Sequence, residues 1–576
     1  MVIAFGGSAS PTAHDFPRRP PAHGLRQTST FRFRSGVTEP SGARTSSVSE
    51  REQIYPAHEL RTDMLGGDPT RLKLSRLFAD CYAERDGIPE FRLLIGGRWI
   101  ESSDGKTMDI DSPIDDAVIA RVQAAPAADI VAAVGAAYKA RGAIRDIPAI
   151  DRIDVLNRAR HIIEEHRDDF VNTLVLEAGK PRNNAVGEVS ASLSRIKMTM
   201  EEARSIFGEY VPGDWSEDTM AKFALVIHEP LGVIACISPF NYPLFSVVAK
   251  VIPAIVSGNT TVVKPASDDP LVSLLLGRVL QEAGVPAGVV NVVTGSGRQI
   301  GDVLVNHDSV SMITLTGSTD VGKHVANLVG MKKMHLELGG KGAAVVAADA
   351  DLPLAAKKVL EGCLKYSGQR CDAISRVFVE ESVAGQFMEL LVKELGVWSL
   401  GDPRNSAYNM GPLINPKAAE RVQSLVDDAI SKGASLVSGG KHDRSYFEPT
   451  ILDRVPPEAR IASEETFGPV VTVMRVKGID EAIQRTNESQ YGLDSCIFTN
   501  NLYTAWKVAK ALEEGTVSIN DAPAHGVGYF PFGGNKDSGL GREGVGYSID
   551  EMTRIKTIQF NLAPAGLGKT RQTPKM

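Results

Sequence analysis

Short apolar runs that alternate with helical segments are the feature that most limits the fold of this chain. The first series starts at residue 223 with FALVIHEPLGVIACISP, a helical pattern at 243–257 and NTTVVKP. A helical pattern at 270–283 and the runs VVNVVTG and MITLTGS follow. Because apolar strands that alternate with helices form parallel sheets covered on both faces, the predicted fold class is α/β.

A second series with the same alternation begins after Gly342. It contains AAVVA, a helical pattern at 352–365, RVFVEE and a helical pattern at 383–395. The chain has 576 residues, which is more than a single hydrophobic core usually contains. We therefore predict two α/β domains in tandem.

The first 88 residues differ in composition from the rest. Residues 1–50 are rich in Arg, Ser, Thr, Pro and Gly and contain no Lys. This composition predicts a disordered tail, but it is also typical of an organelle transit peptide, and a mis-assigned start codon is a third interpretation. Residues 51–88 carry one amphipathic stretch, around Leu72–Tyr82, which predicts a helix at the edge of the fold. Order is expected from Phe91, where FRLLIGGRWI predicts a hairpin.

The overall charge bears on the classes of partner. The formal net charge is -7 and the sequence pI is about 6.0. Nucleic-acid-binding surfaces and polybasic membrane surfaces carry a basic excess, so neither partner is expected. No apolar run reaches the roughly 18 residues that a membrane-spanning helix needs.

The metal-ligating residue types are few and scattered. Five cysteines, with no CxxC pair, argue against a zinc site or a disulfide framework and favour a reducing compartment, the cytoplasm. His161 and His166 are five residues apart, which does not match the i, i+4 spacing of a helical metal site. We predict no metal.

Two glycine-rich stretches resemble nucleotide-binding motifs only in part. Gly295, Gly297 and Gly301 are spaced one residue too widely for the dinucleotide fingerprint. The segment GSTDVGKH (317–324) has a histidine where a phosphate-binding P-loop needs Ser or Thr. The order strand, Gly317-Ser318, helix remains informative, because the first backbone N–H groups of a helix can hold a pyrophosphate.

Cys371 is a candidate nucleophile. A single buried cysteine is often no more than a small apolar side chain. In SGQRCDA, however, Cys371 lies among polar residues and directly follows Arg370. A positive neighbour and backbone dipoles are expected to lower the pKa of its thiol.

Three more polar residues stand out beside apolar runs. Glu337 lies between two leucines and can be a buried base with a raised pKa, or an exposed residue of an edge strand. Asn241 can donate to an oxyanion or simply form a turn. Lys264 ends a predicted strand, where ligands of open α/β sheets bind.

Together these segments resemble the aldehyde dehydrogenase superfamily. FNYP, VVKP, LTGST, LELGGK, GQRC, EETFGPV and PFGGNKDSGLGREG occur in the family's order over about residues 91–562. The chain is most similar to the non-phosphorylating, NADP-dependent glyceraldehyde-3-phosphate dehydrogenases, in particular to their archaeal branch. GEYVPGDW, GQRCDAI and HGVGYFPFGG carry that closer resemblance.

The resemblance implies a role for each matching residue. Cys371 matches the nucleophile, Glu337 the general base and Asn241 the oxyanion donor. The positions matching the cofactor site are Lys264 at the adenosine ribose, Gly317 and Ser318 at the pyrophosphate, and Glu465 and Phe467 at the nicotinamide ribose.

The resemblance also implies the architecture. It implies a Rossmann-like cofactor domain and an α/β catalytic domain, with a β-strand flap for oligomerisation as a homodimer or homotetramer. The ranges are an N-terminal extension at 1–88, a cofactor domain at 89–211 and 232–338, a catalytic domain at 339–530 and a flap at 212–231 and 545–562.

One departure from the family concerns the cofactor. NAD-preferring members carry a glutamate three residues after the lysine, and this chain has Ser267 there. Loss of that carboxylate removes repulsion against a 2′-phosphate, and Lys264 attracts one. We expect NADP to be preferred and NAD to be accepted.

The aldehyde is less well defined. Bacterial and plant members of the subgroup that the chain resembles carry an arginine where this chain has His525, and archaeal-like members carry RHG where it has Ala524-His525-Gly526. Arg370, His525 and Tyr242 are candidate substrate residues, with Lys197 as a further cation. The alternatives are another small aldehyde, such as lactaldehyde, succinate semialdehyde or another phosphorylated aldehyde, or an inactive structural paralogue. The expected reaction passes through a thiohemiacetal and a thioester on Cys371 and releases a free acid.

Overall fold

The computed structural model describes residues 72–525 and 528–562. The predictions for residues 1–71 lie outside the described residues. The α-helices are α1 Ala127–Arg145, α2 Ala149–Glu165, α3 Arg167–Ala178, α4 Arg182–Glu202, α5 Pro243–Val256, α6 Leu271–Glu282, α7 Gly297–Asn306, α8 Thr319–Leu328, α9 Leu352–Leu364, α10 Glu381–Leu395, α11 Pro416–Ser431, α12 Arg460–Ser463, α13 Ile479–Asn487, α14 Leu502–Ala511 and α15 Val545–Glu551. Short 3-10 segments are Arg76–Cys81, Ala203–Ser205 and Lys365–Gly368.

The strands fall into three main sheets and three smaller groups. They are β1 Tyr82–Arg85, β2 Ile88–Phe91, β3 Leu93–Ile95, β4 Arg98–Ile100, β5 Thr107–Asp111, β6 Val118–Gln123, β7 Glu209–Pro212, β8 Lys222–Pro230, β9 Val233–Ile237, β10 Thr260–Lys264, β11 Val290–Val292, β12 Val310–Thr316, β13 Lys333–Glu337, β14 Gly342–Val346, β15 Ile374–Glu380, β16 Ser435–Ser438, β17 His442–Asp443, β18 Tyr446–Phe447, β19 Thr450–Asp453, β20 Val470–Val476, β21 Tyr491–Gly492, β22 Asp494–Phe498, β23 Thr516–Ile519, β24 Asn535–Lys536, β25 Gly539–Leu540 and β26 Thr553–Asn561.

The N-terminal part confirms one prediction and corrects another. β3 and β4 form the predicted hairpin, with Leu93 opposite Ile100 and Gly96 and Gly97 at positive φ. The amphipathic stretch at 72–82 was expected to be a helix, but it forms only a 3-10 turn before β1. Pairing of β1 with β2, in the sheet β1-β2-β6-β5, takes the end of this stretch into a strand.

The first α/β series forms an eight-stranded sheet in the order β25-β13-β12-β9-β10-β11-β3-β4. Strands β9 to β13 pair in parallel, as the alternating pattern predicts. Ile237, at the end of β9, lies opposite Lys264 of β10. Thr316 of β12 lies opposite Glu337 of β13. The carboxyl ends of four strands thus meet along one edge, where ligands of such sheets bind.

Helix α5 is the most buried element of this half. Its sequence PLFSVVAKVIPAIV is almost wholly apolar, and all 14 residues are buried, Lys250 included. A helix that is apolar all round belongs in the core, and α5 packs against α2, α4 and α6. Its N-terminus follows Asn241, so the core fixes the position of that loop.

The second series forms a seven-stranded sheet in the order β16-β19-β20-β15-β14-β22-β23. Strands β19, β20, β15, β14, β22 and β23 pair in parallel, and β16 is antiparallel at one edge. Separate apolar clusters cover its two faces, with α9 and α10 on one and α11 and α13 on the other. The α/β prediction is confirmed for both series.

A three-stranded sheet, β26-β8-β7, joins two distant parts of the chain. All nine residues of β26 pair with β8, from Thr553 opposite Pro230 to Asn561 opposite Lys222. β26 forms an edge of this sheet and exposes Ile555 and Phe560. Among the residues that the structure describes, no helix is long and apolar enough to cross a bilayer.

Candidate active site

Two cavities meet at Cys371. The smaller, of about 540 Å³, lies between helices α4, α5 and α9, and the larger, of about 710 Å³, lies along the edge where β9, β10 and β12 end. Tyr242, Cys371 and His525 line both cavities. A group bound in one cavity therefore reaches a group bound in the other at the Cys371 thiol.

A tight turn after α9 presents Cys371. Tyr366, Ser367 and Gly368 all have positive φ, of 53°, 54° and 73°. A Cβ at Gly368 would lie 2.2 Å from the carbonyl oxygen of Gly468, so no side chain fits there. The strained residues are held by buried bonds: Tyr366 donates from Oη to Ala178 O (3.0 Å), and Ser367 Oγ donates to Gly411 O (2.7 Å). Strain of this kind persists where the surrounding structure fixes it.

Cys371 and Glu337 lie close enough for the thiol and the carboxyl group to interact, and each affects the pKa of the other. Glu337 ends β13 and is buried, and its Oε1 has no hydrogen-bond partner among the described residues. Burial raises the pKa of Glu337, against the lowering effect of His525 and of the thiol. The buried interpretation of Glu337 is confirmed, and the exposed-edge alternative is wrong.

The prediction that the pKa of the thiol is lowered is wrong, although Arg370 acts in the predicted direction. Burial, Glu337 and Asp372 raise the pKa of Cys371 well above its usual value, and Arg370 opposes them only weakly. The reason is that the guanidinium is already engaged: its Nε donates to Asp372 Oδ1 (2.9 Å) and its Nη2 to Pro523 O (3.0 Å). The neighbouring cation is largely neutralised, so burial and the nearby carboxyl groups dominate the pKa of Cys371.

Asn241 is held by a buried ion pair that the sequence analysis missed. Lys180 donates from Nζ to the Asn241 carbonyl (2.7 Å) and pairs with Glu188. The other oxygen of Glu188 accepts the N–H groups of Leu244 (3.0 Å) and Phe245 (3.1 Å) in the first turn of α5. Nothing in the sequence around Lys180 indicated this contact, because the partners are 8 and 61 residues away.

The rings of Tyr242 and Tyr366 pack against the Lys180 ammonium. The ammonium lies 4.1 Å from the centroid of the Tyr242 ring and 4.2 Å from that of Tyr366, so it is held by two cation–π contacts. Tyr242 was predicted as a substrate residue, and it does line both cavities.

His525 faces a second buried charge cluster. Its ring packs against Phe532, 4.1 Å between centroids, and its Nε2 lies 3.8 Å from Glu543 Oε1. Glu543 also pairs with Arg195 (3.3 Å) and Lys250 (3.6 Å). Burial would raise the pKa of Glu543, but Lys250, His525, Arg195 and His335 together lower it to about 2. Lys250, a charge inside an apolar run, was the one sequence signal for this cluster.

The larger cavity has the donors that a nicotinamide dinucleotide requires. Lys264 is buried at the end of β10, and its ammonium donates only to the adjacent Pro265 carbonyl (2.8 Å) among the described residues. Gly317 and Ser318 lie at the N-terminus of α8, where the Ser318 hydroxyl accepts from Val321 N–H (3.4 Å). Oxygen-rich phosphates suit such a cation and such a helix end.

The opposite wall of this cavity contains Glu465 and Phe467. Glu465 accepts a hydrogen bond from Gly340 N–H (3.0 Å), and burial raises the pKa of its carboxyl. Phe467 packs edge-on against Phe240, 5.5 Å between centroids. A Cβ on Gly339 would lie 2.9 Å from Glu465 Oε2, so the glycine leaves room for that carboxylate. These residues fit a dinucleotide.

Two predicted residues lie away from the cavity walls. Ser267 Oγ donates to Gly295 O (3.1 Å) beside the wall that Lys264 and Ala266 form. Lys197 is exposed on α4 and lies 3.9 Å from Glu201, outside both linings. Within residues 72–525 and 528–562, no cluster of three or more His, Cys, Asp or Glu could hold a metal ion.

Comparison with known proteins adds the family. The sequence profile of the aldehyde dehydrogenase family matches residues 99–558, which include every residue of the two cavities. The chain belongs to the aldehyde dehydrogenase family. The resemblance seen in its motifs is thereby confirmed, and the protein is an NAD(P)-dependent oxidoreductase of this family.

Individual aldehyde dehydrogenases match along most of the chain. The NADP-dependent glyceraldehyde-3-phosphate dehydrogenase of Streptococcus equinus is 38% identical over 475 residues, 82% of this chain and 99% of that protein. The solved structure of the Bacillus halodurans C-125 enzyme of the same name, in complex with NADP, is 40% identical in sequence, with a TM-score of 0.81. The match covers 82% of this chain and 99% of the Bacillus chain.

An archaeal relative is also similar. The structure of glyceraldehyde-3-phosphate dehydrogenase GapN from Methanocaldococcus jannaschii DSM 2661 with NADP is 36% identical, with a TM-score of 0.75. The match covers 79% of this chain and 99% of the archaeal chain. The aldehyde dehydrogenase fold predicted from the motifs is confirmed by these superpositions.

Proposed function

We propose that this protein oxidises glyceraldehyde-3-phosphate to 3-phosphoglycerate with NADP as the preferred acceptor. The observation that carries the proposal is the interacting pair of Cys371, which lines both cavities, and Glu337, which lines the larger one. The relatives named above supply the substrate and the cofactor, since their names specify NADP and glyceraldehyde-3-phosphate.

Cys371 and Glu337 together start the reaction. The pKa of the Cys371 thiol is raised well above its usual value, so the ligand-free thiol keeps its proton. Glu337 accepts this proton as sulfur attacks the aldehyde carbon, and a C–S bond forms while the carbonyl oxygen becomes negative. Direct transfer of the proton to Glu337 avoids a separate thiolate next to this carboxyl group.

Two N–H donors stabilise the oxyanion. The Cys371 backbone N–H has no acceptor among the described residues, and the Asn241 side chain lines the cavity on the other side. Removing one such donor typically lowers the rate about 10²–10³-fold. The Lys180 bond to the Asn241 carbonyl keeps the loop of this donor in place.

The dinucleotide supplies a hydride acceptor when it is bound. Lys264, Gly317, Ser318, Glu465 and Phe467 would hold it in the larger cavity. Loss of hydride from the aldehyde carbon leaves a thioester on Cys371. Glu337 first releases the proton from Cys371 to solvent. It then removes a proton from water as the water oxygen attacks the thioester carbon. The C–S bond breaks to release the acid, and Glu337 returns the proton to the sulfur of Cys371.

The preference for NADP rests on charge. Lys264 has no carboxylate partner within hydrogen-bonding distance among the described residues, and Ser267 stands where NAD-preferring members have a glutamate. An uncompensated ammonium attracts a 2′-phosphate, whereas a glutamate would repel it.

A substrate panel tests the proposed function. Initial rates are measured with glyceraldehyde-3-phosphate, glyceraldehyde, lactaldehyde and succinate semialdehyde, each with NADP and with NAD. We expect the largest kcat/KM for glyceraldehyde-3-phosphate with NADP. A larger kcat/KM for an uncharged aldehyde, or for NAD, would contradict the substrate or the cofactor assignment respectively.

Assembly and location are further parts of this proposal. Among the described residues, β26 has a neighbouring strand on one side only, and it exposes Ile555 and Phe560, which a second copy of the chain can cover. We expect a homodimer or homotetramer, which sedimentation velocity distinguishes from a monomer. The five unpaired cysteines favour a reducing compartment such as the cytoplasm.

A further inference from the structure

The smaller cavity contains four cationic side chains, and carboxylates of the chain neutralise three of them. The three pairings are Lys180 with Glu188, Lys358 with Glu361 (3.1 Å) and Asp521 (3.0 Å), and Arg370 with Asp372 (2.9 Å). A guanidinium or ammonium that already has a close carboxylate attracts a further anion only weakly. Arg370, the cation that the sequence favoured for substrate binding, is therefore a poor anion site.

Lys365 is the fourth cation and is unpaired. Its ammonium forms no ion pair or hydrogen bond within residues 72–525 and 528–562. Burial and the nearby Arg370 lower the pKa of Lys365, and Asp372 and Glu361 only partly offset this. An anion bound beside this ammonium would raise the pKa of Lys365 again, because it stabilises the charged form.

Asn184 presents a buried donor in the same cavity, whereas the Lys365 side chain is exposed to solvent. It lies in the first turn of α4, and its Nδ2 is buried without an acceptor among the described residues. A buried amide without a partner is unfavourable unless a ligand accepts its hydrogen bond. Two donors without acceptors thus line the cavity that opens at Cys371.

The backbone of Lys365 is rigidly placed. The next two residues are anchored through Tyr366 Oη to Ala178 O and Ser367 Oγ to Gly411 O. Its own N–H bonds the Glu361 carbonyl at the end of α9. Only the flexible side chain of Lys365 has to move to meet a ligand.

We propose that Lys365 and Asn184 form the subsite for the terminal anionic group of the aldehyde substrate. This inference rests on the proposed function, in which that group is the phosphate of glyceraldehyde-3-phosphate. Lys365 supplies a positive charge and Asn184 one hydrogen bond, so that the aldehyde carbon is left at Cys371. A sulfonate or carboxylate shares the required chemistry of a multi-oxygen anion.

The experiment compares Lys365→Met with Lys357→Met. Lys357 is exposed on α9, the helix that ends next to Lys365, and lies outside the cavity lining, so the control removes the same charge nearby. We expect Lys365→Met to lower kcat/KM for glyceraldehyde-3-phosphate about tenfold or more, as loss of a hydrogen bond to a charged group does. The value for uncharged glyceraldehyde should stay within about twofold of wild type, and Lys365→Arg should restore most of the loss.

A second readout does not depend on the identity of the substrate. With glyceraldehyde at saturating NADP, inorganic phosphate should inhibit the wild type competitively against the aldehyde, and Lys365→Met and Asn184→Ala should weaken that inhibition. The inference is overturned if phosphate does not compete, or if Lys365→Met matches Lys357→Met in both assays. A different result would contradict the proposed function: a wild-type enzyme that does not prefer glyceraldehyde-3-phosphate to glyceraldehyde.

Discussion

The Lys180 ammonium donates a hydrogen bond to the backbone carbonyl of Asn241 at 2.7 Å. Both residues are buried, and Glu188 links Lys180 to the first turn of α5. Asn241, the proposed oxyanion donor, is thus fixed through its backbone, while the residue also lines the larger cavity. This arrangement makes Lys180 and Glu188 positioning residues for Asn241.

Lys180→Met should lower both stability and kcat. Removing one partner of a buried ion pair typically costs about 3–5 kcal/mol, because the remaining charge is left unpaired. Urea unfolding measures the first effect. For the second, kcat is compared in Asn241→Ala and in the double variant: once Asn241 is alanine, the further substitution of Lys180 should lower kcat much less than it does alone. Full additivity would show that Lys180 acts independently of Asn241.

Glu337→Gln should slow the first turnover and almost abolish the following ones. Its amide can neither accept the Cys371 proton nor activate water, so a slowed burst of NADPH at about one per site should precede an even slower steady state. Rapid-quench or stopped-flow absorbance measures both phases. An unchanged steady-state rate would refute the role of Glu337 as the base for hydrolysis.

The same variant should be more stable than the wild type at neutral and alkaline pH. Burial raises the pKa of Glu337 in the folded state. Its contribution to the free energy of unfolding is therefore fully present below the unfolded-state pKa of about 4.5, and is lost as pH rises through the folded-state pKa. The amide that replaces the carboxyl would carry no charge at any pH. Thermal unfolding of the two proteins should differ at pH 8 and converge near pH 4.5, and a constant difference would argue against a buried, ionising Glu337.

Glu543→Gln should destabilise the fold at neutral pH, and less so in acid. Cations lower the pKa of Glu543 to about 2, so its stabilising contribution is present above the unfolded-state pKa and is lost as pH falls towards about 2. Arg195 and Lys250 would lose their carboxylate, at a cost of about 3–5 kcal/mol. Urea unfolding at pH 7 and pH 4 should show a smaller difference at the lower pH.

Lys264 should make NADP binding weaken above about pH 8. Burial lowers the pKa of Lys264 to about 8, so the free ammonium loses its charge there. KM for NADP should rise above this pH, while KM for NAD, which has no 2′-phosphate, should change less. In Lys264→Met, KM for NADP should be high at every pH; a wild-type pH profile in that variant would assign the titration to another group.

The site residues differ in how far the sequence could reveal them. Glu337, Asn241 and Cys371 stand next to apolar strands and turns, and their motifs are local, so both the chemistry and the position followed from short segments. The direction of the pKa shift of Cys371 could not be predicted in this way. Asp372 neutralises Arg370 through a turn whose geometry only the folded chain shows. Lys365 gave no local signal for the same reason.

The sequence by itself determined the α/β class, the parallel strands and the family, because apolar periodicity and short motifs depend on neighbouring residues. The tertiary structure alone decided which charges remain free. Lys180 meets Glu188, Glu543 meets Arg195 and Lys250, and Lys365 meets no carboxylate among the described residues. Such pairings join residues up to hundreds of positions apart, and Coulomb energies depend on distance in space and on burial rather than on separation along the chain.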